Sequence, residues 1–319
     1  MLARMQDKLR TIRRAGNAWQ SNGFFDQRPQ LTWARVIDSL ERVPELYLEF
    51  VCSWLSHGEE FPYIVLAPAY ENFRNKITEK IICVSGPEIK VLERNGKAIT
   101  AQSYPLAELS YVEVSSILLD FRVRITGITS QGIPASSLFR SSAATDYLFA
   151  PILRQVRLQA DASKGVGQAP DLERFNSWSS SSFKFMNFAR RSVLAGEKVL
   201  DCLLQPEIRA KRFTFLNKTF YRTLSLTHAC ILTDQELILI REEALPSLND
   251  KYGGIWEYIP LNRIATLSTS TRNNNLLALS IKLVTGDSFE CLFDAAKQDE
   301  VEQFLVQFHK ISCTIRNQG

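Results

Sequence analysis

The chain has 319 residues, 45% of them apolar and 23% charged, with a net charge of +4. Length predicts about two globular units, and the composition excludes disorder and a polytopic membrane protein. A net charge this mild leaves any strongly basic behaviour to local clusters.

Residues 1 to 20 read as an amphipathic helix. Leu2, Met5, Leu9 and Ile12 form its apolar stripe, and Arg4, Lys8, Arg10, Arg13 and Arg14 against Asp7 make the other face basic. Thr32 is a plausible N-cap for a helix through Arg42 bearing Trp33, Val36, Ile37 and Leu40. A second helix is expected from Pro44 to Ser56, because proline suits a first turn but not a helix interior.

From Gly58 the text turns strand-like. Gly58-Glu59-Glu60 leads into an apolar run ending at Leu66-Ala67-Pro68. Ile81 to Val84 and Glu88 to Leu92 read as strands joined at Ser85-Gly86-Pro87, and Asn95-Gly96 is a hairpin turn. Further strands are expected from Tyr104 through Val114, over Phe121 to Ile125, and at Leu138-Phe139. A helix then runs over about 142 to 158, with Pro151 splitting or kinking it. Gly165, Gly167, Pro170 and the run Ser179 to Ser182 mark a linker, followed by a short basic helix over Phe183 to Leu194.

The order then recurs. Gly196-Glu197-Lys198 opens a run ending at Leu204-Gln205-Pro206, 138 residues after its twin. Glu236-Leu237 answers Glu88-Ile89 at an offset of 148. Pro260-Leu261-x-x-Ile264 answers Pro105-Leu106-x-x-Leu109 at 155, and Leu292-Phe293 answers Leu138-Phe139 at 154. Asp294 caps a closing helix with Val301, Phe304, Leu305 and Phe308 on one face. These matches divide the chain into a helical segment over 1–56, a first unit over 57–160, a linker and basic helix over 161–195, and a second unit over 196–319. Each unit reads as a small antiparallel barrel or sandwich closed by a helix.

Thr233-Asp234-Gln235-Glu236-Leu237-Ile238-Leu239-Ile240, followed by Ile259-Pro260-Leu261-Asn262-Arg263-Ile264, resembles the bacterial pleckstrin-homology-like domains and the related GRAM domains. The resemblance covers about 197 to 311 well and 59 to 158 more loosely. The first copy departs in Ser85-Gly86-Pro87 and in Pro151. It implies an α+β fold of two seven-stranded barrels in tandem, each with a C-terminal helix, and a binding or scaffolding role. It also implies that the loop between a domain's first two strands holds anionic phosphate headgroups.

The growth in offset from 138 to 148 places about ten extra residues within 207 to 226. That segment carries Arg209, Lys211, Arg212, Lys218 and Arg222 against Glu207, interleaved with Phe213, Phe215, Phe220 and Tyr221. One reading makes the five cations the ligands of an anionic headgroup, with Phe213 and Phe215 entering the membrane interface. The other makes Phe213, Phe215 and Phe220 core residues of a strand with a solvated basic face. At about 1 kcal/mol per basic residue near an anionic leaflet, five supply about 5 kcal/mol, a millimolar-class attraction. The basic N-terminal helix would be needed to make attachment firm. A second insertion within 241 to 258 reads as an exposed loop, followed by Trp256 and Tyr258 as core residues.

Cys52, Cys83, Cys202, Cys230, Cys291 and Cys313 lack zinc spacing and read as buried thiols of a reduced cytosolic chain. His228 and His309 have no recognisable nucleophile or acid beside them, so their expected roles are structural. The expectation is therefore a non-enzymatic module without cofactor or nucleic acid, cytoplasmic, peripheral on the inner membrane face and partnered by anionic phospholipid. The alternative is a protein–protein scaffold using barrel edges, the N-terminal helices or the 241–258 loop for peptide recruitment or self-association.

Overall fold

Strands outnumber helices, and most of the apolar runs in this chain are strands covered on both faces. The structure is a computed structural model describing residues 32–55, 60–71, 76–158, 170–215, 218–243, 253–272 and 275–316. The expected helix over 1 to 20, the first Gly-Glu pair, the glycines at 165 and 167, and positions 244–252 of the second insertion lie outside the described residues. The described architecture is mixed α+β, built from antiparallel sheets and four α-helices.

In the N-terminal half, β1 (Arg35–Ile37), β2 (Ile64–Ala67), β5 (Lys80–Ser85), β6 (Glu88–Asn95) and β7 (Ala98–Pro105) form one sheet in that order. The short β3 (Tyr70–Glu71) and β4 (Lys76–Ile77) pair apart from it. A meander of β8 (Leu109–Ile117), β9 (Asp120–Ile128) and β10 (Pro134–Ser142) follows, then helix α2 (Ala150–Arg157). The C-terminal half repeats this order. β11 (Val199–Gln205), β14 (His228–Thr233), β15 (Glu236–Arg241) and β16 (Gly254–Pro260) make a meander, with the hairpin β12 (Ile208–Phe215) and β13 (Lys218–Ser225) set between its first two strands. A second meander of β17 (Ile264–Arg272), β18 (Leu276–Leu283) and β19 (Ser288–Asp294) precedes helix α4 (Gln298–Arg316).

A helix lies just before β2 and another just before β11, and each packs on the outer face of the sheet that follows it. Helix α1 (Glu45–Trp54) buries Tyr47, Leu48, Val51 and Cys52 against Ile64, Leu66, Ile81 and Cys83. The alternate residues Val65, Ile82 and Val91 point inward to Val123, Phe139 and Phe149. Helix α3 (Ser179–Ser192) covers Ala229, Ile231, Ile238 and Ile240, while Cys230, Leu232, Leu237 and Leu239 face Phe293, Phe304 and Phe308. Continuous apolar runs such as Ile81-Ile82-Cys83 and Ala229 to Leu232 follow from this double burial, at about 1.5–3 kcal/mol per buried large side chain.

Two expectations need correction. No helix spans Thr32 to Arg42; Val36 and Ile37 lie in β1, which pairs with the edge of β2, and only Leu40–Arg42 coil into a 3-10 turn. β-Branched residues suit an extended edge, and β2 offers unpaired backbone groups there. The strand expected from Tyr104 through Val114 is interrupted by a 3-10 turn over Leu106–Glu108, matched by one over Leu261–Arg263. The repeated Pro-Leu motif is thus the corner where the chain changes sheet, with Leu106 and Leu261 buried at the bend. The segment before Arg157 does form two pieces, a 3-10 stretch over Ala143–Phe149 and then α2, with Pro151 in the first turn. A proline there forfeits only an N–H that has no helical partner.

The halves are joined by strand pairing. β8 and β16 run antiparallel with Val112 opposite Tyr258 and Val114 opposite Trp256, giving a continuous sheet ordered β10-β9-β8-β16-β15-β14-β11. Trp256 and Tyr258 pack against the cores of both halves. Glu113 stands opposite Glu257 in this register, an unfavourable like-charge pair. Arg124 lies 3.5 Å from Glu113, and Arg241 pairs with the fully buried Glu257, so each carboxylate has its own cation.

A second tie is ionic. Arg157, at the end of α2, is buried between Glu236 and Glu197. Its guanidinium donates to Glu236 from Nε at 3.0 Å and to the Ser192 carbonyl from Nη2 at 2.6 Å, and lies 3.9 Å from the Tyr258 ring centroid. Glu197 stands 3.8 Å from Arg157 and accepts the Leu194 N–H at 3.0 Å. Burial, and then the neighbouring Glu236, push the Glu197 carboxyl up to about 8, against the opposing pull of Arg157. The Gly196-Glu197 pair therefore has a structural role: Gly196 turns the chain at φ 90° and Glu197 seats the clamp.

Candidate functional site: an exposed basic hairpin

The segment read as a loop after the first strand of the C-terminal half is a β-hairpin. Thr214, Phe215, Thr219, Phe220 and Tyr221 are β-branched or aromatic and suit extended chain. Register places Ala210 opposite Arg222, Lys211 opposite Tyr221, Phe213 opposite Phe220, Thr214 opposite Thr219 and Phe215 opposite Lys218. The pairing skips between Lys211 and Phe213, so Arg212 occupies a bulge.

The pair β12–β13 is a sheet of its own. Such a ribbon is marginal without further packing, and local contacts hold it. Phe213 and Phe220 stack with centroids 4.7 Å apart and planes 21° from parallel, worth about 0.5–1 kcal/mol across a strand pair. At the foot, Glu207 accepts from Arg209 at 2.6 Å and from Thr223 at 2.7 Å, bridging the two strands.

This geometry excludes the core reading for Phe213 and Phe220. Both remain nearly half exposed, at 48% and 45%, and Tyr221 is 61% exposed, so they are not core residues. Arg209, Lys211, Arg212 and Arg222 are also exposed. Arg209 is engaged by Glu207, whereas Lys211, Arg212 and Arg222 have no acidic partner among the described residues. The side chains of Phe215 and Lys218 lie outside the description; only their register is set.

The partner of Phe213 in the stack is Phe220, rather than the sequence-adjacent candidate Phe215. Alternation along one strand does not reveal such a cross-strand pair; the register across the turn does.

At the hairpin foot a cleft of about 380 Å³ is lined by Ser225, Thr227, His228, Arg241, Glu243 and Glu290, among others. Its carboxylates make it a poor receptor for a phosphate, so the cationic surface is the hairpin and not the cleft. The His228 ring is buried edge-on to Phe293 at 5.0 Å, with Nδ1 2.9 Å from the Leu226 carbonyl. Burial pushes its pKa below the ordinary histidine value. Of the six cysteines, Cys52, Cys83, Cys230 and Cys291 are buried, Cys202 is half-buried, and Cys313, contrary to expectation, is exposed on α4.

No helix among the described residues is long and apolar enough to cross a membrane. Comparison with protein-family models and with curated proteins returns no match.

Proposed function

We propose that this chain is a non-enzymatic binding module of two pleckstrin-homology-like units that docks peripherally on an anionic membrane surface through the 207–226 hairpin. The observation that carries the reading is the exposed Phe213–Phe220 stack beside Lys211, Arg212 and Arg222, three cations without acidic partners among the described residues. Aromatic rings enter the headgroup boundary while the cations meet lipid phosphates. The twofold recurrence of a four-stranded meander, a three-stranded meander and a helix supports the pleckstrin-homology-like assignment, as does a strand pair inserted between β2 and β5 in one half and between β11 and β14 in the other. The corresponding location is cytoplasmic, at the inner membrane face.

The outer edges of β12 and β13, which pair with no other strand among the described residues, favour a second reading, recruitment of a protein strand by edge pairing. Co-sedimentation with neutral and phosphatidylserine-containing vesicles across ionic strength separates the two. Membrane docking requires pelleting with anionic vesicles only, lost at high salt and in an R209E/K211E/R212E/K218E variant. Absence of pelleting at low salt would refute it, and partner capture surviving both treatments would establish the scaffold.

A further inference from the structure

One row of residues crosses the whole seven-stranded sheet: Gln205, His228, Arg241, Ile255, Ser115, Arg122 and Arg140 stand opposite one another in turn. β11 leaves the sheet just after this row and β14 enters at it, so the basic hairpin emerges from this end. β8 leaves the same end at Ile117 and returns as β9 at Asp120, through the two-residue turn Leu118-Leu119. Three strand spacings separate β8 from β14, about 14 Å at 4.8 Å each.

That turn breaks the usual chemistry of tight hairpins, which favour Asn-Gly or Asp-Gly. Leu118 adopts φ 53°, a left-handed conformation uncommon for a leucine, and is 63% exposed; Leu119 is 77% exposed. At the opposite end of the sheet the β14–β15 turn is the polar Asp234-Gln235. The carboxylate beside the leucines is already neutralised: Asp120 accepts from Arg122 at 2.7 Å and also from Arg140. Arg122 also lies 3.8 Å from Glu243, so two arginines balance two carboxylates, and the turn presents two leucines beside a charge-balanced cluster rather than a bare carboxylate.

We propose that the Leu118-Leu119 turn is a second membrane contact, entering the same anionic leaflet as the basic hairpin so that both halves of the molecule touch the bilayer. The inference rests on the hairpin reading and extends it to a two-point attachment. The hairpin supplies salt-sensitive attraction, and the leucines supply apolar burial that salt does not screen.

The test pairs a partition measurement with a depth measurement on the full chain, using phosphatidylcholine vesicles with and without phosphatidylserine. The L118S/L119S variant is expected to lose about tenfold or more in partition coefficient while its salt dependence keeps the wild-type slope. A spin label at L119C, in a C202S/C313S background, is expected to become accessible to oxygen and shielded from a water-soluble nickel chelate when anionic vesicles are added. A label at Q131C, in the β9–β10 turn at the other end of the sheet, is expected to stay in water. Wild-type binding with the Leu119 label still in water, or with L118S/L119S binding undiminished, overturns this inference alone. Failure of the wild type to bind removes the hairpin reading and this inference together.

Discussion

Replacing Glu197 with glutamine tests the clamp between the two halves through its pH dependence. In the folded chain the Glu197 carboxyl is raised from 4.5 to about 8, by burial first and then by Glu236. The native state therefore holds a proton that the unfolded chain releases once pH exceeds about 4.5. This stabilising contribution is complete below the unfolded value and is lost as pH rises through the folded one. The interval of about 3.5 pH units, at 1.36 kcal/mol each, bounds the effect at about 5 kcal/mol. Relaxation of the interior brings that to a few kcal/mol. Glutamine has the shape and neutrality of the protonated acid, and its carbonyl keeps an acceptor for the Leu194 N–H. Urea midpoints at about pH 4 are expected to coincide for wild type and Glu197→Gln. By about pH 8.5 the variant is expected to be more stable by a few kcal/mol. His228 titrates in both proteins, so it cancels in the difference. Parallel profiles over that range would show that Glu197 is ionised in the fold, and the clamp would then be a conventional ion pair.

The remaining predictions concern single places in the fold. A Phe213→Ser/Phe220→Ser variant is expected to weaken vesicle binding while leaving the main unfolding transition within about 1 kcal/mol of wild type, because the stack lies outside the described hydrophobic cores of both halves; a larger loss of stability would mean that the ribbon is packed. Gly253→Ala places a Cβ 2.3 Å from the Ser116 carbonyl at φ +99°, so it is expected to cost about 2 kcal/mol or more and to disturb the β8–β16 seam, read by amide hydrogen exchange at Val114 and Trp256. Leu118→Gly relieves the left-handed leucine, with an expected gain of about 1 kcal/mol in urea denaturation; a loss would show that the leucine side chain is packed in the free protein.

Much of the local structure can be read from residue order alone. Asn95-Gly96 does mark a turn, with Gly96 at positive φ. Pro44 and Pro151 sit where helices begin, and Val301, Phe304 and Phe308 are the buried face of α4. These signals work because turn chemistry, proline geometry and side-chain period act over a few residues. Val36 and Ile37 were less legible, since their spacing suits a helix and only the free edge of β2 makes them a strand. The concentration of cations and aromatics over 207–226 is likewise a property of the sequence. Its exposure is not: alternation at Phe213 and Phe215 is the same whether or not another layer covers that face.

What only the tertiary structure decides is the long-range pairing. The contact of Val112 to Ser116 with Gly254 to Tyr258 joins segments about 140 residues apart, and Arg157 meets Glu197 and Glu236, the latter 79 residues away. Neither has a local signature, because the energy of a strand edge or a buried guanidinium depends on what else in the fold reaches it. The repeat and the basic cluster belong to the sequence. The seam that turns two repeated halves into one sheet, and brings the hairpin and the Leu118-Leu119 turn to the same end, belongs to the fold.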